Sequence, residues 1–145
     1  MAKVSDLLGS RCDIYSLRED MTAHDAAKYL RERRVRAMAV CNQDGGILGV
    51  ISQSDLSDKV AAENLHPDSV RVTEIMGKEL IKVTTETSLE ECLRLMEQHV
   101  IYHLLVVDDR GEYKGMISAQ DLLKVIASDY KARAELLECW AFPPI

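Results

Sequence analysis

Two eight-residue segments place a serine three residues before an aspartate, at the end of an apolar stretch. They read GVISQSDL at 49–56 and GMISAQDL at 115–122, and they share the form Gly-x-Ile-Ser-x-x-Asp-Leu. A serine at a helix start accepts hydrogen bonds from free backbone N–H groups, and an acidic residue three positions later completes a capping box. The same N–H groups and the helix dipole favour a phosphate, and a carboxylate can accept from both hydroxyls of a ribose. These two segments, called the Ser/Asp boxes below, therefore predict either helix caps or a nucleotide cradle.

The other chemically reactive residues form no catalytic or metal-binding pattern. His99 and His103 flank a predicted helix-to-strand junction and so do not share a helix face as metal ligands. The sequence has no nucleophile elbow, no HExxH motif and no phosphate-binding glycine loop. We therefore predict a protein that is not an enzyme and holds no metal. The cysteines lack paired spacing and are predicted to be reduced thiols of a cytoplasmic protein: Cys12, Cys41, Cys92 and Cys139.

Length and composition predict one soluble globular domain. The chain has 145 residues, of which 47% are apolar and 29% charged, with a net charge of −6. An acidic balance disfavours a nucleic-acid partner, because such proteins need a cationic surface. No apolar run approaches the roughly 18 residues of a membrane span, and the N-terminus lacks the apolar stretch of a secretory signal. We therefore expect neither nucleic acid nor a membrane among the partners.

The chain contains an internal repeat. Residues 22–56 align without a gap on residues 88–122 at a shift of 66, with matching apolar positions, and VSDLLG at 4–9 matches VTEIMG at 72–77. Six of the seven glycines pair under these shifts: Gly9 with Gly77, Gly45 with Gly111, and Gly49 with Gly115. A unit of about 60 residues has a marginal core alone, so two copies are expected to bury their apolar faces on each other.

Each half is predicted to fold as β-α-β-β-α, which gives an α/β (α+β) fold of two pseudo-symmetric repeats packed into one domain. The expected segments are repeat 1 at 4–62, a linker at 63–69, repeat 2 at 70–128, and a helix end with an aromatic tail at 129–145. Thr22 with Asp25, and Ser88 with Glu91, mark the start of the first helix in each half. Apolar patterns predict strands at 13–17, 36–41 and 48–51 and at 80–83, 102–107 and 113–117, and a last helix from 119 to about 138.

The chain resembles a tandem pair of CBS domains, also called a Bateman module, over about residues 4–126. The resemblance is carried by the repeat, by the D/E-I/L-M/L-G segments at 6–9 and 74–77, by the VV-D strand end at 106–108, and by the Ser/Asp boxes. It implies a non-catalytic module that binds an adenosine-containing ligand, such as AMP, ADP, ATP, NAD or S-adenosylmethionine, in clefts between the repeats.

The resemblance also implies roles for individual residues. In each box the aspartate would bind the ribose hydroxyls and the serine would contact phosphate. These roles fall on Asp55 and Ser52 in one cleft and on Asp121 and Ser118 in the other. Many family members have Arg before the aspartate, where this chain has Ser54 and Gln120.

Further contacts are expected from the strands. Arg36 and His103 are candidate phosphate contacts, and Tyr102 in place of a basic residue favours a less charged ligand. By the resemblance, adenine lies against the first strand of each repeat, at Tyr15 and Leu17 or at Ile81 and Val83. These four positions fit ordinary core strands equally well.

The functional prediction is a regulatory, energy-sensing module with an adenine nucleotide as regulatory ligand and no obligatory cofactor. Its ligand state would be relayed to a homodimer partner or to a separate effector protein. The segment 139–145 holds the only Trp and Phe of the chain and is expected to support a homodimer. The alternative is a structural dimerisation or scaffold module whose boxes only cap helices.

Overall fold

Two three-stranded sheets, one in each half of the chain, form the framework of the protein. The computed structural model describes residues 2–9 and 14–126. The first half contains α1 (Val4–Leu8), β1 (Ser16–Arg18), α2 (Ala23–Arg33), β2 (Ala37–Cys41), β3 (Ile47–Ser52) and α3 (Gln53–Leu56), which continues as a π-helical turn at Ser57–Ala61. A 3₁₀ turn at Pro67–Ser69 leads to α4 (Val72–Ile75), β4 (Lys82–Thr84), α5 (Leu89–His99), β5 (His103–Val107), β6 (Tyr113–Ser118) and α6 (Ala119–Ile126).

The two sheets have the same topology and register. In each sheet the first strand is parallel to the second, and the second is antiparallel to the third. Val40 lies opposite Leu17 and Gly49, and Val106 lies opposite Val83 and Gly115. The predicted mixed fold of two repeats is confirmed.

The long helix of each half begins at a serine or threonine cap and ends at a left-handed residue. Thr22 Oγ1 accepts from Asp25 N–H at 3.1 Å, and Ser88 Oγ accepts from Glu91 N–H at 3.1 Å, as the capping signatures predict. Both helices end on a left-handed residue, Arg34 with φ 55° and Val100 with φ 52°. A left-handed β-branched residue is uncommon. Val100 lies 66 residues after Arg34, so the repeat includes a backbone conformation that the residue types alone do not reveal.

Several boundaries differ from the sequence prediction. β1 begins at Ser16 and β4 at Lys82, because only there do these strands pair with their neighbours, Ala39 and Leu105. Asp13 lies outside the described residues. The last helix begins at Ala119 as predicted, and its expected continuation to about 138 falls outside the described residues, as does the aromatic tail.

Each half has its own core, and each core is completed by the segment that precedes the other half. Val4 of α1 packs with the second-half residues Leu104 and Ile117, whereas Val72 of α4 packs with the first-half residue Met38. Backbone hydrogen bonds fix both exchanges: Val4 N–H donates to Thr87 O at 2.9 Å, and Val72 N–H donates to Met21 O at 3.0 Å. The two leading segments therefore tie the halves together.

A smaller apolar cluster joins the two sheets directly. Its buried members are Ala39 and Cys41 of β2 and Leu105 of β5. The expected burial of one half on the other occurs in this cluster and in the exchanged segments. Burial raises the pKa of the Cys92 thiol to about 11, which leaves this thiol protonated and suits a packing role.

Within the described residues, no helix is both long and apolar enough to cross a membrane.

Candidate functional site

An open cavity of about 710 Å³ lies between the two halves. The first half contributes Tyr15, in front of β1, and the segment 34–38, which joins the end of α2 to β2. The second half contributes the start of β5, the strand β6 and the start of α6. Because the second strand of each half begins at this cavity, the repeat places corresponding chain segments on its two sides.

The cavity brings together seven of the residues predicted to bind a ligand. They come from both halves: Tyr15, Arg36, Tyr102, His103, Ser118, Gln120 and Asp121. The other predicted contacts do not line it: Leu17, Ser52, Ser54, Asp55, Ile81 and Val83. The residues of the second Ser/Asp box thus share a cavity with Tyr15 and Arg36 of the first half.

The second Ser/Asp box forms a complete helix cap at the cavity wall. Ser118 N–H donates to Asp121 Oδ2 at 2.8 Å, and Asp121 N–H donates to Ser118 Oγ at 3.1 Å. Both side chains also line the cavity. The capping interpretation and the binding interpretation are therefore compatible at this box.

His103 lies beside the second box, because β5 and β6 pair His103 with Ser118. Burial lowers the pKa of the His103 imidazole, the Asp121 carboxylate opposes this shift, and the Arg36 guanidinium adds to it. A lowered pKa leaves His103 neutral at pH 7. The permanent positive charge of the cavity therefore comes from arginine and lysine.

Among the described residues, four cationic side chains line the cavity, and sequence reasoning identified only Arg36 of these as a contact. The others are Arg34, Lys114 and Lys124. Lys114 lies 3.6 Å from an Asp108 oxygen and 3.9 Å from a Glu112 oxygen. Lys124 follows Asp121 by three residues, which places both side chains on one helix face. This spacing could have identified Lys124 as a residue of the site.

Two tyrosines on opposite halves are tied together at the cavity. The Tyr113 hydroxyl donates to the backbone oxygen of Tyr15 at 3.2 Å, and burial raises the pKa of this phenol. The Arg33 guanidinium lies 3.6 Å from the ring centroid of Tyr29 and 5.1 Å from that of Tyr15. Arg33 thus lies over a ring that lines the cavity.

The first Ser/Asp box is also a complete cap. Ser52 N–H donates to Asp55 Oδ2 at 2.9 Å, and Asp55 N–H donates to Ser52 Oγ at 3.3 Å. The remaining Asp55 oxygen, Oδ1, lies 2.9 Å from the Lys59 ammonium. Ser54 is exposed on the first turn of α3.

The predicted adenine-binding strands present few side chains to a ligand. Leu17 and Val83 are buried in the cores of their own halves, and Ile81 packs against the second core. The Ile81 backbone oxygen accepts from Leu105 N–H at 3.1 Å. Of the four predicted positions, Tyr15 alone lines the cavity described above.

Comparisons with known proteins match nearly all of the described chain. The family model described as CBS domain matches residues 4–62 and 72–128. An uncharacterized protein of Methanopyrus kandleri is 30% identical over 116 residues, which are 80% of this chain and 59% of the relative. The mitochondrial CBS domain-containing protein CBSX3 of Arabidopsis thaliana is 28% identical over 83% of this chain and 60% of its own length. This chain therefore spans about three-fifths of these relatives.

Solved structures resemble the whole arrangement of the two halves. A protein with CBS domains from Burkholderia ambifaria has a TM-score of 0.82 and 30% identity, covering 88% of this chain and 96% of its own. The CBS domain protein PAE2072 from Pyrobaculum aerophilum, solved in complex with AMP, has a TM-score of 0.78 and 25% identity. That match covers 93% of this chain and 98% of the other.

Proposed function

This chain belongs to the CBS-domain family, as a tandem pair of such domains, and we propose that it is a non-catalytic regulatory module that binds an adenine nucleotide between its halves. The observation that carries the proposal is the cavity, which gathers Asp121, Ser118 and Arg36 from two halves of the chain. Its volume of about 710 Å³ falls within the range of small-molecule sites. The AMP complex of the Pyrobaculum aerophilum protein supports the choice of ligand class.

The residues of the cavity suit the three parts of a nucleotide. The Asp121 carboxylate would accept from the ribose hydroxyls, and Ser118 with Arg36 would contact phosphate. The Tyr15 ring, which lies 5.1 Å from the Arg33 guanidinium, offers a flat apolar surface on which adenine could stack. Arg34 and Lys124 add positive charge at the same cavity, which favours a phosphorylated ligand over free adenosine.

The site also suggests how binding would be relayed. A ligand that contacts Arg36 of the first half and Asp121 of the second stabilises the relative geometry of the two halves in which both contacts are made. We expect a homodimer partner or a separate effector protein to respond to that geometry. The aromatic tail proposed to support the homodimer lies outside the described residues.

A scaffold without a nucleotide is the second candidate function. It is favoured by the hydrogen bonds of both Ser/Asp boxes, which complete helix caps without any ligand. Under this alternative the boxes contribute to stability only, and the cavity holds water.

Binding of named nucleotides separates the two functions. We expect AMP, ADP, ATP, NAD or S-adenosylmethionine, tested singly, to raise the melting temperature and to give a saturable calorimetric signal. Asp121→Asn should weaken the affinity for the bound compound at least tenfold, because it removes the charged acceptor for the ribose hydroxyls. Asp109→Asn, in an exposed turn, is the matched control and should bind as the parent does. The absence of any shift at millimolar concentrations of all five compounds would favour the scaffold.

A further inference from the structure

The positive charges that line the cavity are not part of the internal repeat. At the shift of 66 residues that relates the halves, each of the four cationic lining residues corresponds to a residue without positive charge. The pairs are Arg34 with Val100, Arg36 with Tyr102, Lys114 with Leu48, and Lys124 with Asp58. The serine and aspartate of the two boxes, in contrast, are kept in both halves. The cations are therefore a property of this cavity and not a requirement of the shared fold.

Arg34 separates the demands of the fold from those of a ligand. Arg34 and Val100 end their helices in the same left-handed conformation, so the fold uses this backbone shape with either side chain. Arg34 is exposed and lines the cavity. Within the described part of the chain, its guanidinium forms no ion pair. It is thus available to an anion bound in the cavity.

The cavity contains cationic groups beyond the one that the proposed function assigns to the first phosphate, which is Arg36. Lys114 lies 3.6 and 3.9 Å from two carboxylate oxygens and is engaged there. Arg34 and Lys124 remain, one from each half, because Arg34 precedes β2 and Lys124 lies on α6. Among the described residues that line the cavity, Asp121 is the only acidic one. A chain of net charge −6 thus gathers positive charge at this cavity, and a field of this sign favours the more highly charged of two related anions.

We propose that the cavity selects an adenosine polyphosphate, ADP or ATP, over AMP, and that Arg34 and Lys124 bind the phosphate groups beyond the first. This inference rests on the proposed function, since it names which adenine nucleotide the same cavity prefers. Each added phosphoryl group brings further anionic oxygens, and charge-assisted hydrogen bonds to these oxygens are stronger than those between neutral groups. The guanidinium offers paired donors to a phosphate, whereas the ammonium acts as a point charge.

The test compares the affinities of AMP, ADP and ATP for the full chain by isothermal titration calorimetry. All titrations use one ionic strength and no divalent cation, because salt screens such contacts and a metal ion on the polyphosphate would mask its charge. The parent chain should bind ADP and ATP roughly tenfold or more tightly than AMP, since only they reach the two additional cations.

Two substitutions and two controls assign the selectivity to residues. Arg34→Gln and Lys124→Met each remove one positive charge and should each weaken the binding of ATP several-fold more than that of AMP. The double variant should bind ATP and AMP with similar affinity. The matched controls are Arg31→Gln and Lys28→Met, which remove the same charge from exposed positions of α2 outside the cavity and should keep the parent's ratio of affinities. Arg34 and Lys124 are both exposed, so the variants should fold, and thermal melting checks this.

The outcomes separate the inference from the proposed function. A parent chain that binds AMP as tightly as ADP and ATP would overturn the inference while leaving the proposed function in place. An unchanged ratio of ATP to AMP affinity in the double variant would also overturn it. A parent chain that fails to bind AMP, ADP, ATP, NAD and S-adenosylmethionine would overturn the proposed function, and the inference with it.

Discussion

The serines of the two Ser/Asp boxes share one structural task, and only one of them lines the cavity. Each hydroxyl accepts from the N–H of the aspartate three residues later, at 3.3 Å for Ser52 and 3.1 Å for Ser118. Ser118 also lines the cavity with Asp121. Ser118 therefore combines the helix cap with the proposed phosphate contact, whereas Ser52 caps its helix without lining the cavity.

This difference makes a matched pair of substitutions informative. Ser52→Ala and Ser118→Ala should each lower the free energy of unfolding by about 1 kcal/mol, because each removes a helix N-cap. Ser118→Ala should in addition weaken AMP binding several-fold, whereas Ser52→Ala should leave the affinity unchanged. Urea unfolding measures the first effect and calorimetry the second. Equal AMP affinities for the two variants would count against a phosphate contact at Ser118.

His103 should make the stability of the folded protein depend on pH. Its pKa is lowered in the fold by burial, so the unfolded chain binds a proton at a higher pH than the folded chain does. The free energy of unfolding should therefore fall, relative to that of His103→Gln, as the pH drops through the usual histidine pKa of about 6.5. The loss should level off below the folded pKa. Urea unfolding of both proteins between about pH 8 and pH 5 measures the difference, and a gain on acidification would contradict this assignment.

Among the individual residues of the site, the sequence identified those of the second Ser/Asp box and missed others that line the same cavity. Asp121 and Ser118 were identified because the second box aligns with the first and resembles the family motif. His103 was identified as a candidate phosphate contact because the family often has basic residues in this strand. Tyr113 and Lys124 were not, since neither belongs to a shared motif. The part of Tyr113 in the cavity depends on its contact with Tyr15 of the other half, which no local spacing reports. The three-residue spacing from Asp121 could have identified Lys124.

Among the elements, β3 is in close contact with the chain that follows α4. Val50 N–H donates to Gly77 O at 2.9 Å, and Gly77 N–H donates to Val50 O at 2.8 Å. A Cβ on the neighbouring Gly49 would lie 2.6 Å from Met76 Sδ and 2.7 Å from Gly77 O. Glycine is required here by contact with another segment and not by a left-handed backbone.

Gly49→Ala should therefore destabilise the protein by about 1–3 kcal/mol, the usual cost of overpacking, because a backbone oxygen cannot move aside as a flexible side chain can. The control is Gly9→Ala, where the added Cβ would meet backbone oxygens at ordinary distances of 3.6 and 3.7 Å. Gly9→Ala should change the free energy of unfolding by less than about 0.5 kcal/mol. Thermal or urea unfolding measures both, and similar losses in the two variants would argue against the close contact at Gly49.

The elements themselves were largely predictable, since strand alternation, capping signatures and turn glycines are local. The strands β2, β5 and β6 and the helix starts at Thr22 and Ser88 follow the sequence pattern closely. The exchange of α1 and α4 was not foreseen. Val4 and Val72 are apolar and therefore expected to be buried, but their sequence says nothing about which half receives them.

The exchange of α1 and α4 joins the whole molecule, because the core of each half is completed by the helix that precedes the other half. Leu8 of α1 also lines the cavity, so the segment that completes the second core forms part of the proposed binding site. Binding and the joining of the halves therefore use the same chain segment.

Substitution of the two corresponding valines should loosen opposite halves of the molecule. Val4 and Val72 are both fully buried, so changing either to alanine should cost about 1–2 kcal/mol in lost apolar contact. Under native conditions, Val4→Ala should speed hydrogen exchange in β4, β5 and β6, and Val72→Ala should speed it in β1, β2 and β3. Each change would thus act on the half to which its residue does not belong in chain order. Faster exchange in the residue's own half would show that the leading segments are not exchanged in solution.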